Sequence, residues 1–519
     1  MLSNIREKLK ANKLDALLIN STNEYLVEYN ALEENARYIL TGFSGSTGDA
    51  IITEDKVYLF VDGRYHIQAD SEVNHEITTV IKLQNGDTFL KKILELLPAG
   101  KVLGIVSSKN SQSRVEKLEE YYKIVPLETD YIQTKAPSNK TNETVKISTN
   151  ECGLSEKEKI KQIRDKIQDN EAVLISNSEE VSYLYNIRNF STNYSSKVLA
   201  RAIITKDSDE LFYPEDTEKY RHTLLKLNKK IYVDKTSINA RDYEIIKDKA
   251  AFWECNPIQQ MKAIKTEEEI ISYKKAFQCT DKALKSIRKY IYENNNISEY
   301  DIDKELECAF KQYGAKNLSF KSIIAKDENS ALAHYSKSSK QEIIKDGSLI
   351  LIDCGAYYDG GLATDITRVF VKGTPTELQI RVYTTVLKAF LHAFNTIITP
   401  NINGYDIDNS ARKLLNENQI DGFIFNHGLG HGIGISVHEY PPNLSCNELA
   451  KVPLRENMCF TIEPGLYNKE HFGVRLENSC YLRNNKIHSF TNMNYEKKLI
   501  NIEMLTEQEK EWLKEFEVL

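Results

Sequence analysis

The residues of this chain that could do chemistry gather in its last third. The segment from Asn426 to Glu439 is rich in glycine and holds three of the ten histidines of the chain. Two acidic residues in apolar runs precede it and two follow it, namely Asp353, Asp365, Glu463 and Glu477. Charged groups in apolar surroundings are costly unless they are paired or bound to metal. The pattern therefore predicts a site for divalent metal that holds two ions.

The first two acids are predicted to lie on one β-hairpin. Residues 348–352 form a short apolar strand that ends at Asp353, and a turn at residues 359–361 leads to a second strand that carries Asp365. A hairpin of this length can place both carboxylates on one face. Carboxylates suit hard divalent ions such as Mn²⁺ and also accept Co²⁺ or Zn²⁺.

The remaining members of the set follow later in the sequence. His431 lies between two glycines, which predicts an imidazole that projects from an irregular turn. Glu463 follows a buried strand at a Pro-Gly turn, and Glu477 lies in a predicted strand. Arg475 is two residues before Glu477 and so shares its face of that strand. We expect Arg475 either to orient the acids or to form a plain salt bridge.

Composition narrows the class of protein. The 519 residues exceed what one core can hold, so several domains are expected. The net charge is −7 with both signs interspersed, which argues against nucleic acid or an anionic membrane as a main partner. The N-terminal segment lacks the apolar region of a signal peptide, and no apolar run reaches the ~18 residues that span a bilayer. The eight cysteines form no C-x-x-C pair and are expected to be reduced thiols of a cytoplasmic protein.

One part of the N-terminal half is used twice. Residues 16–30 and residues 172–186 align without a gap, and both run from an apolar strand to a Tyr-Asn pair. Each copy is predicted to be a helix, a buried strand and a polar turn into a second helix. The sequence therefore predicts two related α/β domains in tandem. The polar residues 136–151 are predicted to form a linker or surface loop.

Other segments predict local structure. In the first copy, a Gly/Ser loop at residues 42–48 precedes two strands, Asp49–Thr53 and Val57–Val61. The loop has no Walker lysine and leads into a strand, so a tight connection is predicted rather than a phosphate site. Thr266 and the three glutamates that follow it predict the start of a helix. Two long helices are expected, at about residues 266–292 and 299–313.

The ligand order Asp, Asp, His, Glu, Glu resembles that of the dinuclear metallopeptidases of the methionine aminopeptidase, prolidase and aminopeptidase P group. The run His-Gly-x-Gly-His-Gly-x-Gly that starts at His427 adds to the resemblance. The loop at residues 42–48, the Asp62-Gly63-Arg64-Tyr65 segment, the tandem domains and the helix that closes the chain are similar to the three-domain, cytosolic type of aminopeptidase P. The resemblance implies an α/β (α+β) fold. Two tandem creatinase-N-like α/β domains at residues 1–153 and 154–264 would precede a pita-bread catalytic domain at residues 265–519.

The resemblance also implies a role for each member of the set. Asp353 would chelate one metal ion, His431 and Glu463 would hold the other, and Asp365 and Glu477 would bridge the two. Three further histidines match catalytic and substrate-binding positions of the family: His334, His427 and His438. Glu463 would also act as the catalytic proton acceptor, and Arg475 would lie on the substrate side.

One departure from the family is a spacing. Asp353 and Asp365 are twelve residues apart, one more than in the family's usual hairpin. The extra residue is expected in the turn at residues 359–361, because a shift within the strands would turn Asp365 to the wrong face.

The function implied is that of a metal-dependent exopeptidase that releases the N-terminal residue from peptides with proline in second position, by hydroxide attack from a dinuclear centre. Mn²⁺ is the expected metal, with Co²⁺ or Zn²⁺ as alternatives, and a homodimer is implied. The alternative is a prolidase, which acts on Xaa-Pro dipeptides with the same centre. A metal-free creatinase-like enzyme and a non-catalytic binding module fit the complete ligand set less well.

Overall fold

The structure, a computed structural model, describes residues 1–84, 87–135 and 143–516. The chain divides into two compact units. The first comprises Met1–Lys146, Glu156–Asn193 and Lys197–Ile258, and the second comprises Ile147–Ser155, Tyr194–Ser196 and Gln259–Leu519. The boundaries predicted at residues 153 and 264 stay predictions. In the described part of the chain, no helix is both long and apolar enough to cross a membrane.

The first sheet of unit 1 has six strands in the order β4-β3-β2-β1-β5-β6. They are β1 (Ala16–Ile19), β2 (Asp49–Thr53), β3 (Val57–Val61), β4 (Thr78–Lys82), β5 (Val102–Val106) and β6 (Lys123–Leu127). Its helices are α1 (Leu2–Ala11), α2 (Ala36–Thr41), α3 (His66–Glu72), α4 (Phe89–Leu96) and α5 (Gln112–Glu119). Strand β1 is antiparallel to β2 and parallel to β5, and its four residues are buried.

The second sheet of unit 1 has five strands in the order β11-β10-β8-β12-β13. Its strands are β8 (Glu171–Ile175), β10 (Arg201–Thr205), β11 (Asp209–Phe212), β12 (Lys230–Tyr232) and β13 (Ala250–Ala251). A separate pair is formed by β7 (Val145–Lys146) and β9 (Ile187–Arg188). The helices of this stretch are α7 (Glu156–Arg164), α8 (Ser178–Leu184), α9 (Thr217–Lys226) and α10 (Ala240–Ile246). Two more helices, α6 (Thr149–Cys152) and most of α11 (Pro257–Ala263), belong to unit 2.

The two sheets repeat one topology. Strand β8 is antiparallel to β10 and parallel to β12, as β1 is to β2 and β5. The register is also the same, because Ala16 pairs with Thr53 and Ala172 pairs with Thr205. The predicted pair of related α/β domains is therefore confirmed at the level of individual strand pairs.

The predicted turn into a second helix is short in the second copy and long in the first. In the second copy, the Asn177 side chain accepts hydrogen bonds from the amides of Glu179 and Glu180 and starts helix α8. In the first copy, the Asn23 side chain instead accepts from the amide of Tyr25, and a helix starts only at α2. Asparagine side chains that bond to a nearby amide stabilise turns in competition with helices.

The predicted linker at residues 136–151 is partly regular structure. Residues 136–142 lie outside the described residues. Those that follow form β7, which pairs with β9, and α6. Ser148 and Glu151 form a capping box at the start of α6, which supplies the helix start that the polar composition obscured.

Unit 2 contains two larger sheets, ordered β15-β16-β18 and β20-β19-β21-β24-β25, and two short pairs, β14-β17 and β22-β23. Its first strands are β14 (Asn317–Leu318), β15 (Ile323–Lys326), β16 (Leu349–Cys354), β17 (Ala356–Tyr357), β18 (Ile366–Val371) and β19 (Gly430–Gly432). Its later strands are β20 (Glu439–Leu444), β21 (Cys459–Ile462), β22 (Gly465–Tyr467), β23 (Gly473–Arg475), β24 (Asn478–Arg483) and β25 (Lys486–Ser489). Its long helices are α12 (Glu267–Glu293), α13 (Glu299–Gln312), α14 (Glu377–Phe394) and α15 (Gly404–Glu417), and α16 (Glu507–Leu513) follows near the end of the chain.

Strand β16 is buried on both faces by different helices. Leu349 and Leu351 belong to a core cluster with residues of α14. Ile352 and Cys354 belong to another cluster, with residues of α12 and α13. This alternation follows from the two-residue period of a strand. Cys354 therefore points away from the face on which Asp353 lies.

The hairpin of β16 and β18 depends on Gly355, and this generates a stability prediction. A Cβ atom at Gly355 would lie 1.9 Å from the Thr364 carbonyl oxygen and 2.4 Å from Ser319 Oγ. We expect Gly355→Ala to lower the free energy of unfolding by about 1–3 kcal/mol, because overpacking forces the backbone to shift. Gly63→Ala is the control, since a Cβ there meets no atom within 4 Å. Equal denaturation midpoints for the two variants would contradict the prediction.

Candidate metal centre

Asp353 and Asp365 lie on one face of the β16–β18 hairpin. The strands pair without a shift from Leu349↔Val371 to Cys354↔Ile366, and an isolated bridge joins Tyr357 to Ala363 in the same register. Asp353 is opposite Thr367, two residues after Asp365, so the two carboxylates share a face. The twelve-residue spacing of Asp353 and Asp365 is therefore accommodated in the turn between Tyr357 and Ala363, without a change of strand register.

His431 lies at the centre of the three-residue strand β19, which pairs with both β20 and β21. The prediction of an irregular turn at this position is therefore wrong. The irregularity is a register shift between His431 and Gly432. Gly430 allows β21 to approach, because a Cβ there would lie 2.0 Å from the Thr461 carbonyl oxygen. The glycines of this run bring the strands close on both sides of the imidazole.

Glu463 and Glu477 follow strand ends. Glu463 is the first residue after β21, and its amide donates to the Leu429 carbonyl at 2.7 Å, which ties it to the glycine-rich run. Glu477 lies in a break between β23 and β24, where a continuous strand was predicted. Its amide donates to the Thr367 carbonyl at 3.2 Å, and Thr367 Oγ1 donates to its carboxylate at 2.8 Å. The break therefore turns Glu477 toward the hairpin.

The five predicted side chains converge. His431 Nε2 lies 3.5 Å from Asp365 Oδ2 and 3.6 Å from Glu463 Oε1. One ligand atom from each of Asp365, His431 and Glu477 lies within 4.8 Å of the others. Arg475 joins the remaining acid to the group, because it contacts both Asp353 and Glu463.

Arg475 is the cation among these acids. Its Nη2 donates to Asp353 Oδ2 at 2.7 Å, and its Nε lies 3.8 Å from Glu463 Oε2. It also donates to Thr367 Oγ1 at 3.1 Å and to the Tyr467 hydroxyl at 2.9 Å. The sequence left open whether Arg475 orients the acids or forms a salt bridge, and in the structure it does both.

The acids remain under-compensated despite Arg475. Burial, together with the neighbouring carboxylates Glu477 and Asp353, raises the pKa of Asp365 well above its usual range. Burial also raises the pKa of Asp353, against the opposing effect of Arg475, and burial and Asp353 raise the pKa of Glu477. Among the described residues, Asp353 Oδ1 and Glu477 Oε1 are buried without a hydrogen-bond partner. Buried carboxylate oxygens that repel one another and lack donors fit a divalent cation.

The three other histidines lie beside this group. The rings of His438 and His431 have centroids 4.4 Å apart and are nearly perpendicular. His427 Nε2 lies 2.8 Å from the Tyr467 hydroxyl, which in turn accepts from Arg475. His334 follows Ala333, whose carbonyl accepts from Arg475 Nη1 at 3.4 Å. All nine site residues predicted from the sequence thus fall in one neighbourhood of unit 2.

Sequence reasoning gave no role to Glu439, which follows His438. Its carboxylate is buried, ion-paired with Lys265 and 3.5 Å from Lys262 Nζ. It also accepts from the amide of Ile435 at 3.0 Å, and so holds the loop between His431 and His438. Thr367 and Tyr467 were missed as well. Thr367 could have been found, since it is two residues from Asp365, whereas nothing local marks Tyr467.

Comparison with known proteins agrees with this arrangement. The family description "Creatinase/Prolidase N-terminal domain" matches residues 1–131 and, in a second form, residues 135–269. "Metallopeptidase family M24" matches residues 272–484. Together the three matches span most of the chain, and they confirm the predicted fold of two creatinase-like domains followed by a peptidase domain.

Individual relatives align over nearly the whole chain. A probable Xaa-Pro aminopeptidase P of Laccaria bicolor is 29% identical over 99% of this chain and 88% of its own length. Xaa-Pro aminopeptidase 1 of Dictyostelium discoideum is 27% identical over 99% of this chain and 91% of its own length. The crystal structure of X-prolyl aminopeptidase from Caenorhabditis elegans, a cytosolic enzyme with a di-nuclear active site, shares the fold with a TM-score of 0.85. The two sequences are 22% identical, and the match covers 99% of this chain and 94% of the Caenorhabditis elegans chain. Residues 272–484 therefore form a peptidase domain that matches metallopeptidase family M24, and two domains that match the creatinase/prolidase N-terminal description precede it.

Proposed function

We propose that the chain is a metal-dependent Xaa-Pro aminopeptidase, which releases the N-terminal residue from peptides with proline in second position. The observation that carries the proposal is the group of buried, under-compensated carboxylates beside His431 in an M24 domain. The names of the relatives from Laccaria bicolor and Dictyostelium discoideum support the substrate class. Two divalent ions would be held by the five converging side chains: Asp353, Asp365, His431, Glu463 and Glu477.

Each neighbouring residue has a part in hydrolysis. The bound ions would supply a water with a pKa lowered from 15.7 toward about 7. Glu463 accepts a proton from the attacking water and passes it to the prolyl nitrogen, which must be protonated to leave. His438, beside His431, stabilises the negative charge that develops on the substrate carbonyl oxygen. His334 and His427 line the substrate side, and Arg475 keeps Asp353 and Glu463 in place.

The acidic group also accounts for the choice of bond. A free N-terminal amine is a cation, and the carboxylates that surround the site attract it. That attraction places the first peptide bond, rather than a later one, at the reacting centre. Proline in second position makes this bond a tertiary amide with a fixed ring, so the site must accept a pyrrolidine.

Finer assignments are part of the same proposal. The metal is Mn²⁺, with Co²⁺ and Zn²⁺ as alternatives that the same ligands accept. The protein is a cytoplasmic homodimer that acts on peptides, not on nucleic acid or membranes. Its eight free cysteines and the description of the Caenorhabditis elegans enzyme as cytosolic support the compartment. The three domains span residues 1–153, 154–264 and 265–519.

The first test removes the metal. We expect treatment with EDTA to abolish hydrolysis of Xaa-Pro-Xaa tripeptides, because the water then lacks its activating ions. Adding Mn²⁺, Co²⁺ or Zn²⁺ separately should restore it, with Mn²⁺ the most effective. Release of the N-terminal amino acid is the measurement. Full activity of the EDTA-treated, metal-analysed protein would be incompatible with the proposal.

The second test separates the two peptidase functions. An aminopeptidase of this kind hydrolyses Xaa-Pro-Xaa, whereas a prolidase requires the free carboxylate of an Xaa-Pro dipeptide. We expect a higher kcat/KM for the tripeptide than for the dipeptide with the same first two residues. A preference for the dipeptide would replace the proposal with the prolidase alternative.

The third test uses the repulsion among the acids. Because burial and the neighbouring acids raise the pKa of Asp365, this carboxyl lowers the stability of the metal-free fold at neutral pH, and we expect Asp365→Asn to raise that stability by on the order of 1 kcal/mol. The same variant should lose hydrolysis and the stabilisation that Mn²⁺ gives the unaltered chain. Asp359→Asn is the matched control, because Asp359 lies in the turn of the same hairpin with 78% of its side chain exposed.

Thermal unfolding with and without Mn²⁺, bound-metal analysis and the tripeptide assay give the three readouts. Turnover by Asp365→Asn at the level of Asp359→Asn would remove Asp365 from the site. A loss of stability in metal-free Asp365→Asn would show that the acids do not repel one another as described.

A further inference from the structure

The carboxylate of Glu299 gathers the segment at residues 326–339. Glu299 is the first residue of α13 and is fully buried, at 0% exposure. Its Oε1 accepts from the Lys326 amide at 2.7 Å and from Asn329 Nδ2 at 2.9 Å. Its Oε2 accepts from the Tyr335 hydroxyl at 2.7 Å and from the Ser339 amide at 2.9 Å. One side chain thus binds four donors that are spread along one stretch of sequence.

The four donors lie on both sides of His334 in the sequence. Lys326 and Asn329 precede it, and Tyr335 and Ser339 follow it. The two carboxylate oxygens therefore join the beginning of the segment to its end. A segment closed in this way has far fewer conformations available than one held at a single point.

A carboxylate that is fully buried, as that of Glu299 is, is costly unless donors surround it. Burial raises the pKa of Glu299, and the hydrogen bonds from its four partners oppose that effect. The N-terminus of α13 adds a favourable partial positive charge to the carboxylate. An apolar side chain of similar size would remove the cost of burial but would leave two amides and two side-chain donors without their acceptor.

The same segment is tied to the acidic centre. The Ala333 carbonyl accepts from Arg475, which also donates to Asp353. Ser330 Oγ accepts from the Gly473 amide at 2.8 Å, at the start of the strand that carries Arg475. The chain of contacts runs from Glu299 through Tyr335 and Ala333 to Arg475, and His334 lies between the two middle residues.

We propose that Glu299 is a positioning residue for the peptidase reaction, which acts by holding His334 at the substrate side of the acidic centre. This inference rests on the proposed function. Among the described residues, the Glu299 carboxylate accepts from Lys326, Asn329, Tyr335 and Ser339, and none of these is a proposed metal ligand. Its effect on catalysis passes through the segment at residues 326–339.

The test compares two variants that break the contact with one that does not. Glu299→Gln keeps the size of the side chain but presents an amide nitrogen to two of the donors. Tyr335→Phe removes a single hydroxyl and tests the same contact if Glu299→Gln does not fold. Ser298→Ala is the matched control, because Ser298 caps the same helix through the Asp301 amide and makes no bond to the Glu299 carboxylate.

We expect Glu299→Gln and Tyr335→Phe to lower kcat/KM for an Xaa-Pro-Xaa tripeptide by about 10–100-fold, as the loss of an orienting partner does. The loss in kcat/KM should come from kcat and from KM in the same proportion as the loss in His334→Ala. In a His334→Ala background, neither substitution should lower kcat/KM further, because residues that act through one another are not additive. Ser298→Ala should keep the kinetics of the unaltered chain.

Amide hydrogen exchange supplies a readout that does not depend on activity. In the metal-free protein, peptides from residues 326–339 should exchange faster in Glu299→Gln and Tyr335→Phe than in Ser298→Ala. Unchanged exchange, unchanged kinetics or losses that add to that of His334→Ala would each overturn the inference. If the unaltered, metal-loaded chain does not hydrolyse the tripeptide, the proposed function fails, and unchanged exchange would show separately that the positioning fails.

Discussion

Mutual repulsion among buried carboxylates is the constraint that the peptidase domain is built to withstand. Asp353, Asp365 and Glu477 all have their pKa raised by burial, and for Asp365 and Glu477 neighbouring acids raise it further. Arg475 supplies one positive charge against four carboxyl groups, those of Asp353, Asp365, Glu463 and Glu477. Bound cations reverse the local preference for protonation, so a group that is costly when empty becomes favourable when filled.

These acidic side chains lie at or next to the ends of strands rather than in their middles. Asp353 is one residue from the end of β16, Asp365 immediately precedes β18, and Glu477 lies between β23 and β24. Asp353 is still paired with Thr367, whereas Asp365 and Glu477 lie outside the strands, where a side chain can be turned without disturbing a strand. Thr367 and Arg475 then fix the direction, since each binds more than one of the acids or their neighbours. The strands make the site rigid, and the residues at their ends set the direction in which the acidic side chains point.

Local sequence was sufficient for most of the architecture. The strands Asp49–Thr53 and Val57–Val61 and the start of α12 at Thr266 were readable because alternation and capping are local signals. The site residues were readable as a set because acids in apolar runs are rare without a partner. The break at Glu477 was not readable, since its pattern of residues is that of a strand and the break depends on Thr367, which is distant in sequence. Glu439 and Tyr467 were missed for the same reason, because their partners lie elsewhere in the chain.

The two sheets of unit 1 differ at one edge, and the difference bears on unspecific strand pairing between molecules. In the first sheet β3 is covered by β4, whereas β11, its equivalent in the second sheet, forms the margin of the sheet. Exposed margins invite strands of other molecules to pair with them. Strand β11 begins with Asp209 and Glu210, which are ion-paired with Arg164 and Lys219. A strand of another molecule would have to displace these ion pairs before it could pair with β11. The charged residues therefore disfavour aggregation at this edge.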